Sequence, residues 1–398
     1  MGNISRILMF TALAVTAVKS AAATPELCPT DLAAHLSLPC GETESSLGKD
    51  IRLCRDLAYS TRSDAPDEGA GYTGGGYGRH RSGTLFDLRF DKALFASEAA
   101  RAEMPTFVFL HGGSWSQSYD KDVSSHELLR RIAATGYFTI SMSYQLQNDI
   151  FSNPDTPPRE GATFADMLAD IDDMVTYLKA ELPRLGLPTD KIVLGGESAG
   201  GQLAMCYAWD QDGAGILDVA LRHDLRVGCV VSIVGPSDLT KGRLFSVVFS
   251  PAAWFMPPLR RMRTLLSWLV GEDLSRMGRR KATAAVRKWM PVQLVNSKSC
   301  PAILAYACTD SAPRRNSSDG IIPVSDFNNL VDRLTKAGVP HEARLFTQTG
   351  HGDISSHFEE GRSGAWIVEM LAKTKERGAI AAPAEAPDSS HRNTQEQP

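Results

Sequence analysis

A serine flanked by glycines offers the clearest covalent chemistry in this sequence. Ser198 lies in Gly-Glu-Ser-Ala-Gly-Gly at 196–201, between the apolar run 191–194 and a helical pattern over 200–209. A strand, a sharp turn and a helix in this order form a nucleophile elbow, in which only small neighbours let the strained turn close. The hydroxyl then projects at a helix N-terminus, which favours developing negative charge. The pattern therefore predicts that Ser198 is a nucleophile.

A second glycine-containing motif, His-Gly-Gly-Ser-Trp at 111–115, directly follows an apolar, strand-like run. Attack on an acyl carbon places negative charge on an oxygen, and that oxygen needs preplaced N–H donors. In loops of this type the donors follow the histidine, and a further donor follows the nucleophile. We expect the backbone N–H groups of Gly113, Ser114 and Ala199 to form the oxyanion hole. His111 precedes the glycines and is expected to brace the loop.

Together the two motifs resemble those of α/β-hydrolases in the serine esterase and lipase group. Relatives with HGGG- or HGGxW-type oxyanion loops include hormone-sensitive-lipase-like esterases, carboxylesterases and kynurenine formamidase. The resemblance covers about residues 84–375. Ser114 stands where the HGGG form has its last glycine, so the loop is nearer to the formamidase-like and small-esterase variants. The resemblance implies a triad of Ser, Asp or Glu, and His in that chain order.

The candidate base is His351, in Thr-Gly-His-Gly-Asp at 349–353. It lies between the last predicted strand and the last predicted helix, 355–375, and should therefore project from the C-terminal edge of the sheet near the elbow. His357 is the alternative. Its predicted position inside the helix favours a surface side chain instead.

Two aspartates follow the predicted strand 302–307 and are candidates for the acid. Asp310 comes almost immediately, and Asp319 comes after the polar loop 311–318. The family often has Asp-x-x-Val-Pro before a helix, and residues 319–323 match that spacing. The resemblance therefore favours Asp319. Asp310 is the alternative acid, although aspartate at a strand end commonly serves a turn or a cap.

These residues predict hydrolysis of a small-molecule carboxylic ester through an acyl-enzyme. His351 would take the proton of Ser198, Asp319 would orient the imidazole, and water would then release the acyl group. No metal or organic cofactor is expected. Amide or formamide hydrolysis by the same triad is an alternative. A non-catalytic binding protein on this fold is another, because fold does not imply function, but such a protein would not need the intact motifs.

Strand-like and helical patterns alternate along the rest of the chain. Such alternation predicts an α/β fold with a mostly parallel central sheet and helices on both faces. The predicted strands are 84–90, 106–110, 138–144, 191–194, 227–234, 302–307 and 343–347, and the predicted helices are 124–135, 163–182, 200–209, 324–337 and 355–375.

An insertion at about 241–295 interrupts this alternation and predicts a helical cap. Its segment 260–288 contains nine lysines and arginines against only Glu272 and Asp273, with apolar residues interleaved. We expect the apolar face to pack on the core and the basic residues to face water. Weak contact with a membrane surface through these basic residues is the alternative.

Composition and charge exclude several other classes of protein. The 398 residues are 43% hydrophobic and 22% charged, which is ordinary for a globular protein and excludes collagen-like, coiled-coil and mostly disordered chains. With 42 Lys+Arg against 46 Asp+Glu, the net charge of −4 gives no general attraction to nucleic acid.

The chain is predicted to have four parts: a signal peptide at 1–23, a loop-rich extension at 24–83, the hydrolase domain at 84–378 and a disordered tail at 379–398. Arg6 precedes an apolar run, and small residues stand before a cleavage position near Ala23. A cleaved signal peptide implies a secreted or periplasmic protein. The seven cysteines are an odd number, so at least one is expected to stay unpaired within the chain.

Overall fold

The computed structural model describes residues 28–378, except for 39–40, 61–83, 117–125, 148–161, 212–224, 242–244, 246–247, 251–254 and 315. The predicted signal peptide at 1–23 and the predicted tail at 379–398 lie outside the described residues.

In the described part of the chain, nine strands form one sheet in the order β1-β2-β3-β5-β4-β6-β7-β8-β9. Strands β5, β4, β6, β7, β8 and β9 are parallel to one another. The pairs β1–β2, β2–β3 and β3–β5 are antiparallel. The strands are β1 (Glu42–Ser46), β2 (Lys49–Ala58), β3 (Leu85–Asp91), β4 (Thr106–Leu110), β5 (Phe138–Met142), β6 (Ile192–Glu197), β7 (Val227–Ile233), β8 (Ala302–Cys308) and β9 (His341–Thr347).

Helices cover both faces of this sheet. They are α1 (Leu32–Ser37), α2 (Lys92–Ala96), α3 (Glu98–Ala102), α4 (His126–Ala134), α5 (Phe164–Arg184), α6 (Ala199–Trp209), α7 (Pro257–Val270), α8 (Arg279–Arg287), α9 (Pro291–Leu294), α10 (Val324–Ala337) and α11 (Ser363–Glu376). Phe107 packs in one apolar cluster with α4 and α11, and its neighbour Val108 packs in another with α5, α6 and α10. Because adjacent strand residues face opposite sides, the sheet is buried on both faces. The predicted α/β fold is confirmed.

The segment before residue 84 corrects the prediction of a loop-rich extension. Strands β1 and β2 form a hairpin that pairs with β3, so they belong to the same sheet as the rest of the domain. Leu47 and Gly48 form its two-residue turn, with φ of 51° and 74°. The register of β2 shifts between Cys54 and Leu57. This bulge breaks the alternation of apolar and polar residues, and alternation is the signal by which a strand is recognised in sequence.

The last helix also differs from the prediction. It begins at Ser363 rather than at 355, so His357 lies before the helix and not inside it. The carbonyl of His357 accepts hydrogen bonds from the N–H groups of Gly364 and Ala365. Ile354 and Phe358 pack in the apolar cluster of α11 from a series of turns, which explains why their spacing resembled an earlier helix start.

The insertion contains α7, α8, α9 and a 3₁₀ turn over Leu274–Arg276. Leu269 and Val286 are buried in the large apolar cluster, whereas Arg279 and Arg280 are exposed. Contact with a membrane surface stays a prediction. Within the described ranges, no helix combines the length and the apolar character needed to cross a membrane.

Candidate active site

Ser198 lies in a strained turn between β6 and α6. Its φ of 52° and ψ of −117° fall outside the regions that ordinary residues prefer. A Cβ added at Gly196 would lie 2.4 Å from the carbonyl carbon of Gly200, and one added at Gly200 would lie 2.1 Å from the carbonyl oxygen of Leu110. Both glycines are therefore required for the chain to turn here, as the sequence motif predicts.

The structure brings Ser198, His351 and Asp319 together. The distance from His351 Nε2 to Ser198 Oγ is 2.8 Å, and that from His351 Nδ1 to Asp319 Oδ2 is 2.7 Å. Because an ionised carboxylate can only accept, Nδ1 carries the hydrogen and Nε2 is left to accept from the serine hydroxyl. The three residues follow β6, β8 and β9, whose C-terminal ends meet at one edge of the sheet.

The carboxylate of Asp319 is fixed from two sides. Its side chain is 1% exposed, and its Oδ1 accepts hydrogen bonds from the N–H groups of Ile321, at 2.8 Å, and Ile322, at 2.6 Å. The carbonyl oxygen of Asp319 accepts from the backbone N–H of His351 at 3.0 Å. Asp319 and His351 are therefore joined through their backbones as well as through their side chains.

Asp310, the alternative acid, occupies a different position. It is exposed, and its carboxylate accepts a hydrogen bond from the hydroxyl of Ser317 within the same loop. Ser317 N–H in turn donates to the carbonyl of Arg314. This is the loop-shaping role that aspartate commonly has after a strand. Of the two aspartates, Asp319 is the one whose carboxylate contacts His351.

The loop that carries Gly113 and Ser114 lies against the elbow. A Cβ added at Gly112 would lie 3.3 Å from the carbonyl oxygen of Glu197 and 3.4 Å from Ser198 Cβ. Ala199 is the first residue of α6, and the first helical hydrogen bond runs from Gln202 N–H to the Ser198 carbonyl. The N–H of Ala199 therefore has no partner inside the helix. The loop that carries Gly113 and Ser114 and the first residue of α6 therefore both adjoin Ser198.

Residues 93–320 match the BD-FAE family model, which is more than half of the chain. The chain belongs to the BD-FAE family. The matched range contains Ser198, Asp319 and the loop at 111–115, whereas His351 lies C-terminal to it.

Two curated relatives of this BD-FAE member share part of their length with it. "Probable carboxylic ester hydrolase LipM" of Mycobacterium tuberculosis is 22% identical over 291 residues, which are 71% of this chain and 58% of LipM. "Non-reducing polyketide synthase nvfA" of Aspergillus novofumigatus is 27% identical over 124 residues, which are 29% of this chain and 5% of the synthase. The chain therefore spans less than two thirds of each of these relatives.

Solved structures of two lactobacillus proteins have the same fold. Esterase B from Lactobacillus rhamnosis is 20% identical, with a TM-score of 0.55 over 84% of this chain and 90% of that chain. Carboxylesterase Cest-2923 from Lactobacillus plantarum WCFS1 is 18% identical, with a TM-score of 0.52 over 75% of this chain and 94% of that chain. These similarities confirm the predicted α/β-hydrolase fold of the BD-FAE chain.

His111 is buried beneath the loop that it precedes. Its Nδ1–H donates to the carbonyl of Gly112 at 2.7 Å, and its ring stacks on Tyr144 with centroids 4.3 Å apart. The Tyr144 hydroxyl donates to the His111 carbonyl at 2.8 Å. Burial lowers the pKa of His111 from 6.5 to about 4, because the charged imidazolium would lose its hydration. His111 is therefore neutral near pH 7 and braces the loop.

The depressed pKa of His111 predicts a loss of stability in mild acid. The unfolded chain takes up a proton at this histidine near pH 6.5, whereas the folded protein does not until about pH 4. The unfolded state thus binds more protons in this window, and stability falls as the pH falls through it. In urea unfolding, lowering the pH from 7 to 5 should reduce the stability of the parent by about 2 kcal/mol more than that of His111→Phe.

Each protein is compared only with itself at the two pH values, so a constant cost of losing the Gly112 contact cancels. Phenylalanine keeps the stacking surface for Tyr144. Equal losses of stability in parent and variant between pH 7 and pH 5 would show that His111 takes up its proton in the folded state as readily as in the unfolded chain.

One contact of the site has no counterpart in the sequence interpretation. The hydroxyl of Ser355 donates to Glu197 Oε2 at 2.9 Å, and both residues are buried. Glu197 directly precedes the nucleophile, and Ser355 lies in the turns that follow His351. The contact therefore joins the elbow to the segment that carries His351. Glu197 lies inside the Gly-x-Ser-x-Gly motif, but no sequence signal pairs it with Ser355.

Within the described ranges, no three or more His, Cys, Asp or Glu side chains are grouped so that they could hold a metal ion.

Proposed function

We propose that this chain hydrolyses carboxylic esters through an acyl-enzyme on Ser198. The observation that carries the proposal is the continuous hydrogen-bond chain from the Ser198 hydroxyl through His351 to Asp319. The similarity to LipM, named as a probable carboxylic ester hydrolase, and the fold shared with esterases are in agreement. A binding protein on the same fold would have no use for a serine held in strained angles next to a base.

In the first half of the reaction, Ser198 Oγ attacks the ester carbonyl carbon while His351 Nε2 takes the hydroxyl proton. The carbonyl oxygen becomes an oxyanion, which the N–H groups of Gly113, Ser114 and Ala199 stabilise. The carbon–oxygen bond to the leaving alcohol then breaks, and His351 gives that alcohol its proton. Asp319 holds the imidazole in the tautomer that presents Nε2 to the serine and stabilises its transient positive charge.

In the second half, a water molecule takes the place of the alcohol. His351 removes its proton as the water oxygen bonds to the acyl carbon, and the bond from that carbon to Ser198 Oγ breaks. The carboxylic acid leaves, and the proton returns to Ser198. The residues therefore complete the cycle without a redox partner.

A panel of p-nitrophenyl esters of graded acyl length, run beside N-formyl amides, tests this proposal. We expect the best ester to be hydrolysed with a kcat/KM at least ~10-fold above that of any formamide, because the p-nitrophenoxide leaving group needs less proton assistance than an amine. Ser198→Ala serves as the blank for both. Preferred turnover of the formamides would support the alternative amide hydrolase. A folded protein that turns over neither class would contradict hydrolysis altogether.

A further inference from the structure

The loop after His111 adopts an unfavourable backbone conformation. Ser114 has a φ of 53° and Trp115 a φ of 61°, so two consecutive residues with side chains lie in the left-handed region. Such conformations are costly and persist only where the surroundings hold them in place. The position of the N–H groups of Gly113 and Ser114 therefore depends on what anchors this loop.

Trp115 makes three of the contacts that anchor this loop. Its indole N–H donates to Gln202 Oε1 at 3.0 Å, and its ring packs edge-on against Phe164 with centroids 5.5 Å apart. The carbonyl of Trp115 accepts from the N–H of Gln147 at 2.8 Å. The side chain is buried, so water does not compete for the indole hydrogen.

Gln202 is fully buried on α6, one helical turn after the nucleophile, and its N–H donates to the carbonyl of Ser198. The amide of Gln202 can have only one orientation. An indole N–H can only donate, so it faces Oε1, and the carbonyl of Trp289 can only accept, so it faces Nε2 at 2.8 Å. Gln202 thus links the oxyanion loop to the cap, because Trp289 lies in the insertion between α8 and α9.

We propose that Gln202 is a positioning residue for the oxyanion hole. Through the indole of Trp115 it holds the strained loop so that the N–H groups of Gly113 and Ser114 face the developing oxyanion. Through Trp289 it fixes the base of the cap to the same point, so that the cap supports transition-state stabilisation as well as covering the core. This inference rests on the proposed function, since it assigns a support to the same oxyanion hole.

Trp115→Phe tests the inference because it removes the indole N–H and keeps a ring against Phe164. We expect kcat on the best ester to fall by ~10- to 100-fold with KM changed by less than about threefold, since the donors stabilise the oxyanion, which develops only in the transition state. The affinity for a boronic acid, which forms a tetrahedral adduct on Ser198, should fall by a similar factor.

Trp209→Phe is the matched control. Trp209 lies on α6, the helix that carries Gln202, and it is buried like Trp115. Its indole N–H donates to the carbonyl of Cys300 at 3.3 Å, away from the loop. This variant should lose stability in the same way, yet its kcat and boronic acid affinity should stay within about twofold of the parent, because a lost core hydrogen bond by itself does not move the donors.

A second variant tests whether Trp115 acts through Gln202. Gln202→Met keeps the volume of the side chain and removes its hydrogen bonds to Trp115, Trp289 and Cys206, so it should lower kcat at least as much as Trp115→Phe. Because both changes remove the same hydrogen bond, the double variant should be no worse than Gln202→Met alone, whereas independent effects would multiply.

The inference is overturned if folded Trp115→Phe keeps the kcat and boronic acid affinity of the parent. Losses that multiply in the double variant, or that Trp209→Phe shares, would also overturn it. Labelling of Ser198 by a fluorophosphonate separates this result from a failure of the proposed function. A parent protein that is labelled and active shows that the nucleophile is correct, whatever the tryptophan variants do.

Discussion

Replacing Ser198 with alanine is expected to lower kcat by about 10⁴-fold or more while the protein stays folded. Alanine removes only the oxygen that would bond to the acyl carbon. The backbone N–H of Ser198, which donates to the Ile233 carbonyl at 2.8 Å, is unaffected, so the elbow should keep its shape. The measurement is steady-state hydrolysis of the best p-nitrophenyl ester, with circular dichroism to verify the fold.

Ser37→Ala is a suitable control for this change. Ser37 ends α1, and its exposed hydroxyl donates only within that helix. The control should keep the activity of the parent and its labelling by a fluorophosphonate, whereas Ser198→Ala should lose both. Substantial activity in folded Ser198→Ala, or labelling at another residue of the parent, would end the assignment of Ser198 as nucleophile.

Asp319→Asn should lower kcat at neutral pH by up to about 10⁴-fold. The asparagine amide can donate to His351 Nδ1, which would favour the tautomer with its hydrogen on Nε2, facing the serine. Asparagine also lacks the charge that stabilises the imidazolium. The fold should persist, because an amide oxygen can still accept from the N–H groups of Ile321 and Ile322.

Asp310→Asn is the matched control, since it makes the same chemical change on an aspartate that contacts Ser317 instead of His351. We expect its kcat to stay within about threefold of the parent, as surface substitutions away from a site usually have small effects. Both variants are measured on the same ester over pH 5 to 9. A larger loss in Asp310→Asn than in Asp319→Asn would assign the acid to Asp310.

The parts of the site that depend on short, local sequence motifs could be predicted from the sequence. Gly196 and Gly200 indicate the elbow in the sequence, because no larger residue fits between β6, α6 and the end of β4. The loop at 111–115 was recognisable by its motif, and its Gly112 lies close to the elbow. The alternation of apolar runs and helical patterns was sufficient for the fold class, because a parallel sheet buried on both faces needs continuous apolar strands.

The parts that depend on contacts distant in sequence could not be predicted. Glu197 and Ser355 are 158 residues apart, and Gln202 is 87 residues from both Trp115 and Trp289. No periodicity relates such residues, because their pairing is decided by how the helices pack on the sheet. Strand β2 was also missed, because its bulge breaks the local alternation of apolar and polar residues.

His351 contacts Ser198 across 153 residues of chain, and it follows β9, the strand at one edge of the sheet. At ~5–20 residues per second, a ribosome needs on the order of 8 to 30 seconds after Ser198 to add His351. Throughout that interval the nascent chain contains Ser198 but not His351, and it cannot turn over an ester in the way proposed. The appearance of hydrolysis during synthesis would therefore report that β9 and the segment after it have taken their places beside the elbow.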